Sequence, residues 1–257
     1  MMSTEGNTDT PDAPGKVFMA HMTWLEVETY IASRQGVILP TGSIEQHGPI
    51  GLIGTDAICA REISWRAADQ CGAIVAPELA YAPAPFNMGF PGTVSLSIEV
   101  YTELVLQVIS SLAHHGLNKI YILNGHGANL APLREAAGRT NAEVRIRSWW
   151  DFESVNALRS EWYGDWEGMH ATPSEVSITQ HTHRRIEAPD LAVPRKLTQD
   201  YIRAHAGDRH GAPEAHRRDF PDGRVGSHSG LARPEHGVLL LKSAADALAA
   251  DYLSFVQ

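Results

Sequence analysis

"VILPTGSIEQHGPIGLIGTD", Val37 to Asp56, decides the fold. Val37-Ile38-Leu39 is an uninterrupted apolar run, the pattern of a strand buried on both faces. It passes directly into a loop that holds Glu45, His47 and Asp56 among glycines and a proline. Solvated loops often carry an acid, but seldom a Glu-x-His pair bracketed by Gly and Pro. These polar groups sit just past a strand's carboxyl end, and in open α/β sheets ligands bind along that edge. The loop reads as a site.

The arrangement recurs downstream. "KIYILNGHGAN", Lys119 to Asn129, is again a strand entering a glycine-rich loop, now with His126. "AIVAP" (73–77) and "AEVRIRSWW" (142–150) read as further strands. Helical patterns lie between them. "MTWLEVETYIASRQG" presents Trp24, Leu25, Val27 and Ile31, with Gly36 as its stop; "DAICAREISWRAADQCG" offers Ile58, Ile63, Trp65 and Ala68 for burial and ends at Gly72. "IEVYTELVLQVISSLAHHG" is the clearest amphipathic helix, with Val100, Leu104, Val108 and Leu112 on one face. "LAPLREAAGRT" and the C-terminal "EHGVLLLKSAADALAADYLSFVQ" are also helical. Strands alternating with helices predict a mostly parallel sheet covered on both faces.

At 257 residues, one large α/β domain over residues 16–257 is the natural reading. Residues 1–15 are polar, without the basic and apolar regions of a secretory signal, and read as a disordered tail. Residues 184–234 are rich in Pro, Gly, Arg and His with weak periodicity; they read as a long loop, serving as a lid or a subunit arm. The net charge of −9, with only short basic clusters, argues against a nucleic-acid partner. No run approaches the ~20 apolar residues of a membrane span. Cys59 and Cys71 show no metal-ribbon spacing and fit a reduced compartment, so the expected location is cytoplasmic. No GxGxxG follows a strand, which disfavours a dinucleotide-dependent oxidoreductase.

Two parallel strands of one sheet would bring Glu45, His47, Asp56 and His126 to a common edge. Singly, each has an ordinary reading: Glu45 as a capping or surface acid, His126 as a structural residue in a tight turn. Together they suit Zn, Mn or Fe(II), and a bound cation would relieve an acid-rich pocket that otherwise repels itself. A third motif, "GMHATPSEVSITQ", adds His170 and Glu175, with Ser174 placed to cap a helix. Glu175 reads either as a carboxylate favoured at a helix start or as a further ligand, with His170 nearby as a proton-transfer group. The histidines between His205 and His236 lack paired metal spacing and read as mostly exposed.

"GSIEQHGP…GTD", "NGHGAN" and "HATPSEVS" together resemble the creatininase family of metal-dependent amidohydrolases, with a weaker echo in "GRVGSHSGLARPEHG". The resemblance implies a three-layer α/β/α sandwich, one or two divalent ions per subunit, a small-molecule substrate and a homo-oligomer, commonly a hexamer. It implies that Glu45, Asp56 and His126 hold one ion and that Asp56 bridges to a second held with His47. Where creatininases proper supply a further Glu, this chain has Ala128, and the resemblance to members with a similar motif implies that Glu175 supplies the carboxylate instead. Ile50-Gly51-Leu52 stands where the family usually has His-Leu-Pro. Both departures point away from creatinine itself. By the same resemblance, the loop from Phe86 to Leu96 lines the pocket and Trp166 forms part of its wall. The expected reaction is hydrolysis of a non-peptide or cyclic amide C–N bond by metal-activated water, with His170 passing a proton to the leaving nitrogen. The alternatives are a deformylase, a ring-opening hydrolase of a cyclic ketone or sugar-like substrate, and a non-catalytic metal-binding protein.

Overall fold

Four strands pair in the order β2-β1-β3-β4: β1 (Gly36–Thr41), β2 (Ile74–Val75), β3 (Lys119–Asn124) and β4 (Glu143–Ser148). Each pairing is parallel, as the alternation of strands and helices predicts. The structure is a computed structural model describing residues 17–188 and 190–257. The tail expected at residues 1–15 lies outside the described residues.

The helices are α1 (Trp24–Ile31), α2 (Thr55–Cys71), α3 (Ile98–His114), α4 (Leu130–Gly138), α5 (Glu153–Trp162), α6 (Pro173–Thr182), α7 (Gln199–His205), α8 (Pro213–Asp219) and α9 (Pro234–Val256). Strand side chains alternate between two cores, because successive residues of a strand point to opposite faces. Ile38, Tyr121 and Leu123 pack with Cys59 and Ile63 of α2, Val155 of α5 and Leu240 and Leu248 of α9. Val37, Leu39, Ile120 and Ile122 face the other way, onto Tyr101, Val105 and Ile109 of α3 and Leu133 of α4. The result is a three-layer α/β/α sandwich. Burying each such Ile or Leu side chain is worth about 1.5–3 kcal/mol, which is why both faces of the sheet must be covered.

The chain leaves β1 through α2 to β2 on one side of it, whereas β3 lies on the other side. The carboxyl ends of β1 and β3 therefore flank a switch point, where ligand sites form. Thr41 is in register with Asn124, so the two glycine-rich loops leave the sheet side by side. Close approach of α2 enforces glycine in both. A Cβ on Gly42 would lie 2.3 Å from the Ala57 nitrogen, and one on Gly125 would lie 2.4 Å from the Asp56 carbonyl oxygen.

Four local expectations change. On α3 the buried stripe is Tyr101, Val105, Ile109 and Leu112, while Val100 is 57% and Leu104 36% exposed. Apolar residues surround most of this helix, and a 3.6-residue period cannot choose between stripes offset by one position; the sheet takes the one carrying Tyr101. Gly36 does not end α1, which stops at Ile31, but begins β1 packed against Tyr252, whose Oη would lie 2.3 Å from a Cβ there. The cap of α6 is Thr172, not Ser174: the Thr172 hydroxyl accepts from the Glu175 N–H while Glu175 accepts from the Thr172 N–H, a complete capping box. The stretch 184–234 carries α7 and α8, and its histidines are not exposed: His216 is buried and His205, His210 and His228 are partly covered, as is His236 in α9. His205, His210 and His216 pack in an aromatic cluster with Phe86, His210 lying 5.0 Å from His216 and 4.6 Å from Phe86 between ring centroids.

Candidate metal centre

Glu45, His47, Asp56, His126, His170 and Glu175 all converge at the carboxyl edge of β1 and β3. Each is nine-tenths or more buried. Asp56 sits in the first turn of α2 and Glu175 in the first turn of α6, so both acids face the positive end of a helix. His170 is locked by the closing stretch around Val225: the Met169 N–H donates to the Val225 carbonyl at 2.9 Å, and the Val225 N–H to the His170 carbonyl at 3.2 Å. This gives "GRVGSHSG" a structural purpose. Ala171, next to His170, has φ 59°, a conformation disfavoured for a residue with a Cβ and concentrated at functional sites.

The three histidines share one pattern. His47 Nδ1 lies 3.1 Å from the Glu45 carbonyl, His126 Nε2 lies 2.8 Å from the Pro83 carbonyl, and His170 Nε2 lies 2.6 Å from the Gln46 carbonyl. A carbonyl only accepts, so each of these ring nitrogens carries the proton in the neutral ring. The other nitrogen of each ring then points inward with a free lone pair, the tautomer a metal ligand needs.

The inward nitrogens meet carboxylates. His126 Nδ1 is 3.1 Å from Glu45 Oε1 and 3.0 Å from Asp56 Oδ2; His47 Nε2 is 2.9 Å from Asp56 Oδ1 and 3.8 Å from Glu175 Oε1. His170 Nδ1 is 3.6 Å from Glu45 Oε1. Three sets of ligand atoms lie within 4.8 Å of one another: Glu45/Asp56/His126, His47/Asp56/Glu175 and Glu45/His47/His170. Ligand atoms of a tetrahedral ion with bonds of about 2.1 Å stand roughly 3.4 Å apart, so these spacings suit a cation. Glu45 Oε1 supports the same fit, being buried without a hydrogen-bond partner.

Electrostatics point the same way. Burial disfavours charge on His47, but Asp56 and Glu175 outweigh it and push the imidazole up to about 10. His126 is likewise raised despite burial, by Glu45 and Asp56. The carboxylates thus demand positive charge on these rings, a demand a divalent ion meets. His170 behaves differently: burial holds it down to about 4, so its inward nitrogen is an unprotonated acceptor at neutral pH.

Other groups support the centre that sequence reasoning did not single out. Asn87 donates from Nδ2 to Glu45 Oε2 at 2.8 Å, and Gln46 donates to Asn87 Oδ1 at 2.7 Å and to the Gly223 carbonyl at 2.9 Å. The Ser43 hydroxyl donates to Asp56 Oδ2 at 2.8 Å. Asp208, between α7 and α8, puts Oδ2 3.8 Å from His126 Nδ1. No periodic or spacing signal marks it, since it reaches the centre only through the fold of the 184–234 stretch. The cavity over the centre is about 200 Å³, and its lining includes Trp149, Trp150 and Met169. Trp166 instead packs on His228, 5.6 Å between centroids.

Known proteins resemble this chain in sequence and fold. The family described as Creatininase, creatinine amidohydrolase, matches residues 20–252. Creatinine amidohydrolase of Pseudomonas putida is 32% identical over 183 residues, 63% of this chain and 70% of that protein. Mycofactocin precursor peptide peptidase of Mycolicibacterium smegmatis is 35% identical over 151 residues, 56% of this chain and 57% of that one. Solved creatininases in a manganese form and a zinc–zinc form each superpose with TM-score 0.73 at 25% identity, over 94% of this chain and 99% of theirs. Fold, centre and relatives define an enzyme of the metal-dependent amidohydrolase class. The chain belongs to the creatininase family.

Proposed function

We propose that this chain hydrolyses the C–N bond of a small non-peptide or cyclic amide at a centre of two divalent ions. Glu45, Asp56 and His126 would hold one ion, and His47, Asp56 and Glu175 the other. The observation that carries this reading is Asp56, which turns Oδ2 to His126 at 3.0 Å and Oδ1 to His47 at 2.9 Å. Zn, Mn and Fe(II) all suit the donor set. When bound, such ions polarise a carbonyl and acidify water.

The chain's own groups do the rest. His170 Nδ1, unprotonated and aimed inward, takes the proton of the attacking water and delivers it to the departing nitrogen. The Gln46 carbonyl fixes the ring for both transfers. Trp149, Trp150 and Met169 add apolar surface to a small cavity otherwise lined mostly by polar groups.

Ala128 and Ile50-Gly51-Leu52, where creatininases carry other residues, favour an amide other than creatinine. The likeness to a peptide peptidase favours a second reading, a short peptide amide as substrate. One experiment tests both. Metal content of chelator-free protein is measured, then turnover of cyclic amides, formamides, cyclic ketones and short peptides. Under about half an equivalent of metal in a site proposed to hold two ions, or turnover confined to cyclic ketones, sinks the proposal. Turnover of peptides alone selects the second reading.

A further inference from the structure

We infer that the apolar groove beyond Gly127 is a second subsite, which takes an aliphatic or aromatic substituent of the amide. The inference rests on the reading of the centre as an amide-binding metal site. The groove has a volume of about 770 Å³ and is lined by Pro83, Leu96, Ile98, Leu130, Ala131 and Pro132 among others. It lies between the loop before α3 and the first turn of α4.

Size separates the two cavities. At about 200 Å³ the cavity over the centre accommodates a reacting group and little more. Pockets that enclose a whole ligand run to ~300–1,000 Å³, a range the groove reaches alone. The remainder of any substrate larger than a bare amide must go elsewhere, and apolar lining selects an apolar remainder.

Continuity identifies the occupant. Gly127, Gly207 and Asp208 line both cavities and form the partition between them. Two of the three have no side chain. The third, Asp208, lies across Gly127 so closely that a Cβ there would be 2.3 Å from its Oδ2. Asp208 itself is held at φ 55° directly after Gly207 at φ 73°, two left-handed residues in succession that bend the chain over the partition. The floor of the groove also belongs to the centre, because Pro83, which lines it, offers the carbonyl that orients His126. A chain bound at the centre therefore enters the groove across Gly127 once the Asp208 side chain, which covers it, swings aside.

The test uses zinc-loaded protein and a series of alkyl hydroxamates from acetohydroxamate to hexanohydroxamate, with Kd measured by calorimetry. Burying each added methylene should tighten binding about fourfold, so the series should span on the order of 100-fold. Ala131, exposed in the first turn of α4, is changed to Trp to fill the groove from the solvent side without entering the core. The ratio of the two end-member Kd values within Ala131→Trp should fall below about tenfold, with Ile98→Ser lowering it less. A flat series in the parent, or a full ratio kept in Ala131→Trp, overturns the inference. So does sedimentation showing an oligomer that Ala131→Trp dissociates together with a flat series, which would assign the groove to a second copy of this chain. Failure to turn over any amide, with the length preference intact, sinks the functional reading and leaves the groove standing. Amide turnover with a flat series does the reverse.

Discussion

Asn87 donates its side-chain N–H to Glu45 Oε2 at 2.8 Å, which leaves Oε1 as the oxygen facing His126. That bond sets which lone pairs of Glu45 are free for a cation. Groups of this kind orient ligands, and their loss typically weakens metal binding about 10- to 100-fold. Asn87→Ala should do so, as read by competition with a chromophoric chelator. Unchanged affinity would show that packing alone orients Glu45.

Asp56 should be the residue on which both ions depend. Asp56→Ala is expected to remove both, and His47→Ala mainly one, by elemental analysis of metal per subunit. Full metal and activity in Asp56→Ala would mean that the two oxygens face histidines for structural reasons only.

Glu175 serves two ends, as cap partner of Thr172 and as the oxygen 3.8 Å from His47. Glu175→Gln separates them, because Gln also completes a capping box but is a poorer ligand. Metal occupancy should fall, while the melting temperature of the chelated protein, read below pH 7 where Glu175 is mostly protonated, stays near the parent's. Normal occupancy in this variant would make Glu175 a cap alone.

His170→Asn should cut turnover by on the order of 100-fold or more, the usual scale for a lost proton-transfer group. Metal content should stay at the parent's level. If the variant instead loses metal, His170 belongs to the Glu45/His47/His170 set of ligand atoms and is not the proton carrier.

The chelated protein should lose stability as pH rises from about 7 to 10. Burial opposes charge on His47, yet Asp56 and Glu175 raise it to about 10 from 6.5, so its charged form stabilises the fold. That contribution is complete below 6.5 and is lost as pH climbs through about 10. Glu175, raised from 4.5 to about 7 chiefly by burial, adds an earlier loss of its own as pH rises between those values. Bound metal should flatten the dependence, and loading at pH 7 should release protons, seen as buffer-dependent heats. A melting temperature that rises across this range would contradict the pairing.

Sequence alone determined the layer order and the edge at which the site lies. Val37-Ile38-Leu39 and Ile120-Tyr121-Ile122-Leu123 read as doubly buried strands because apolar runs need cover on both faces, and each run ends in the loop whose ligand-type residues it positions. Local pattern carried that much because strands, loops and motifs are short-range features. Tertiary structure alone decided which stripe of α3 is buried, since both stripes satisfy the helical period and only contact with the sheet distinguishes them. It likewise decided that Asn87 holds Glu45 and that Asp208 reaches His126, 82 residues away in sequence. Asp56's division of its two oxygens between His47 and His126 also depends on β3 lying beside β1. A carboxylate's partners are set by distances of about 3 Å in space, and no spacing along the chain encodes them.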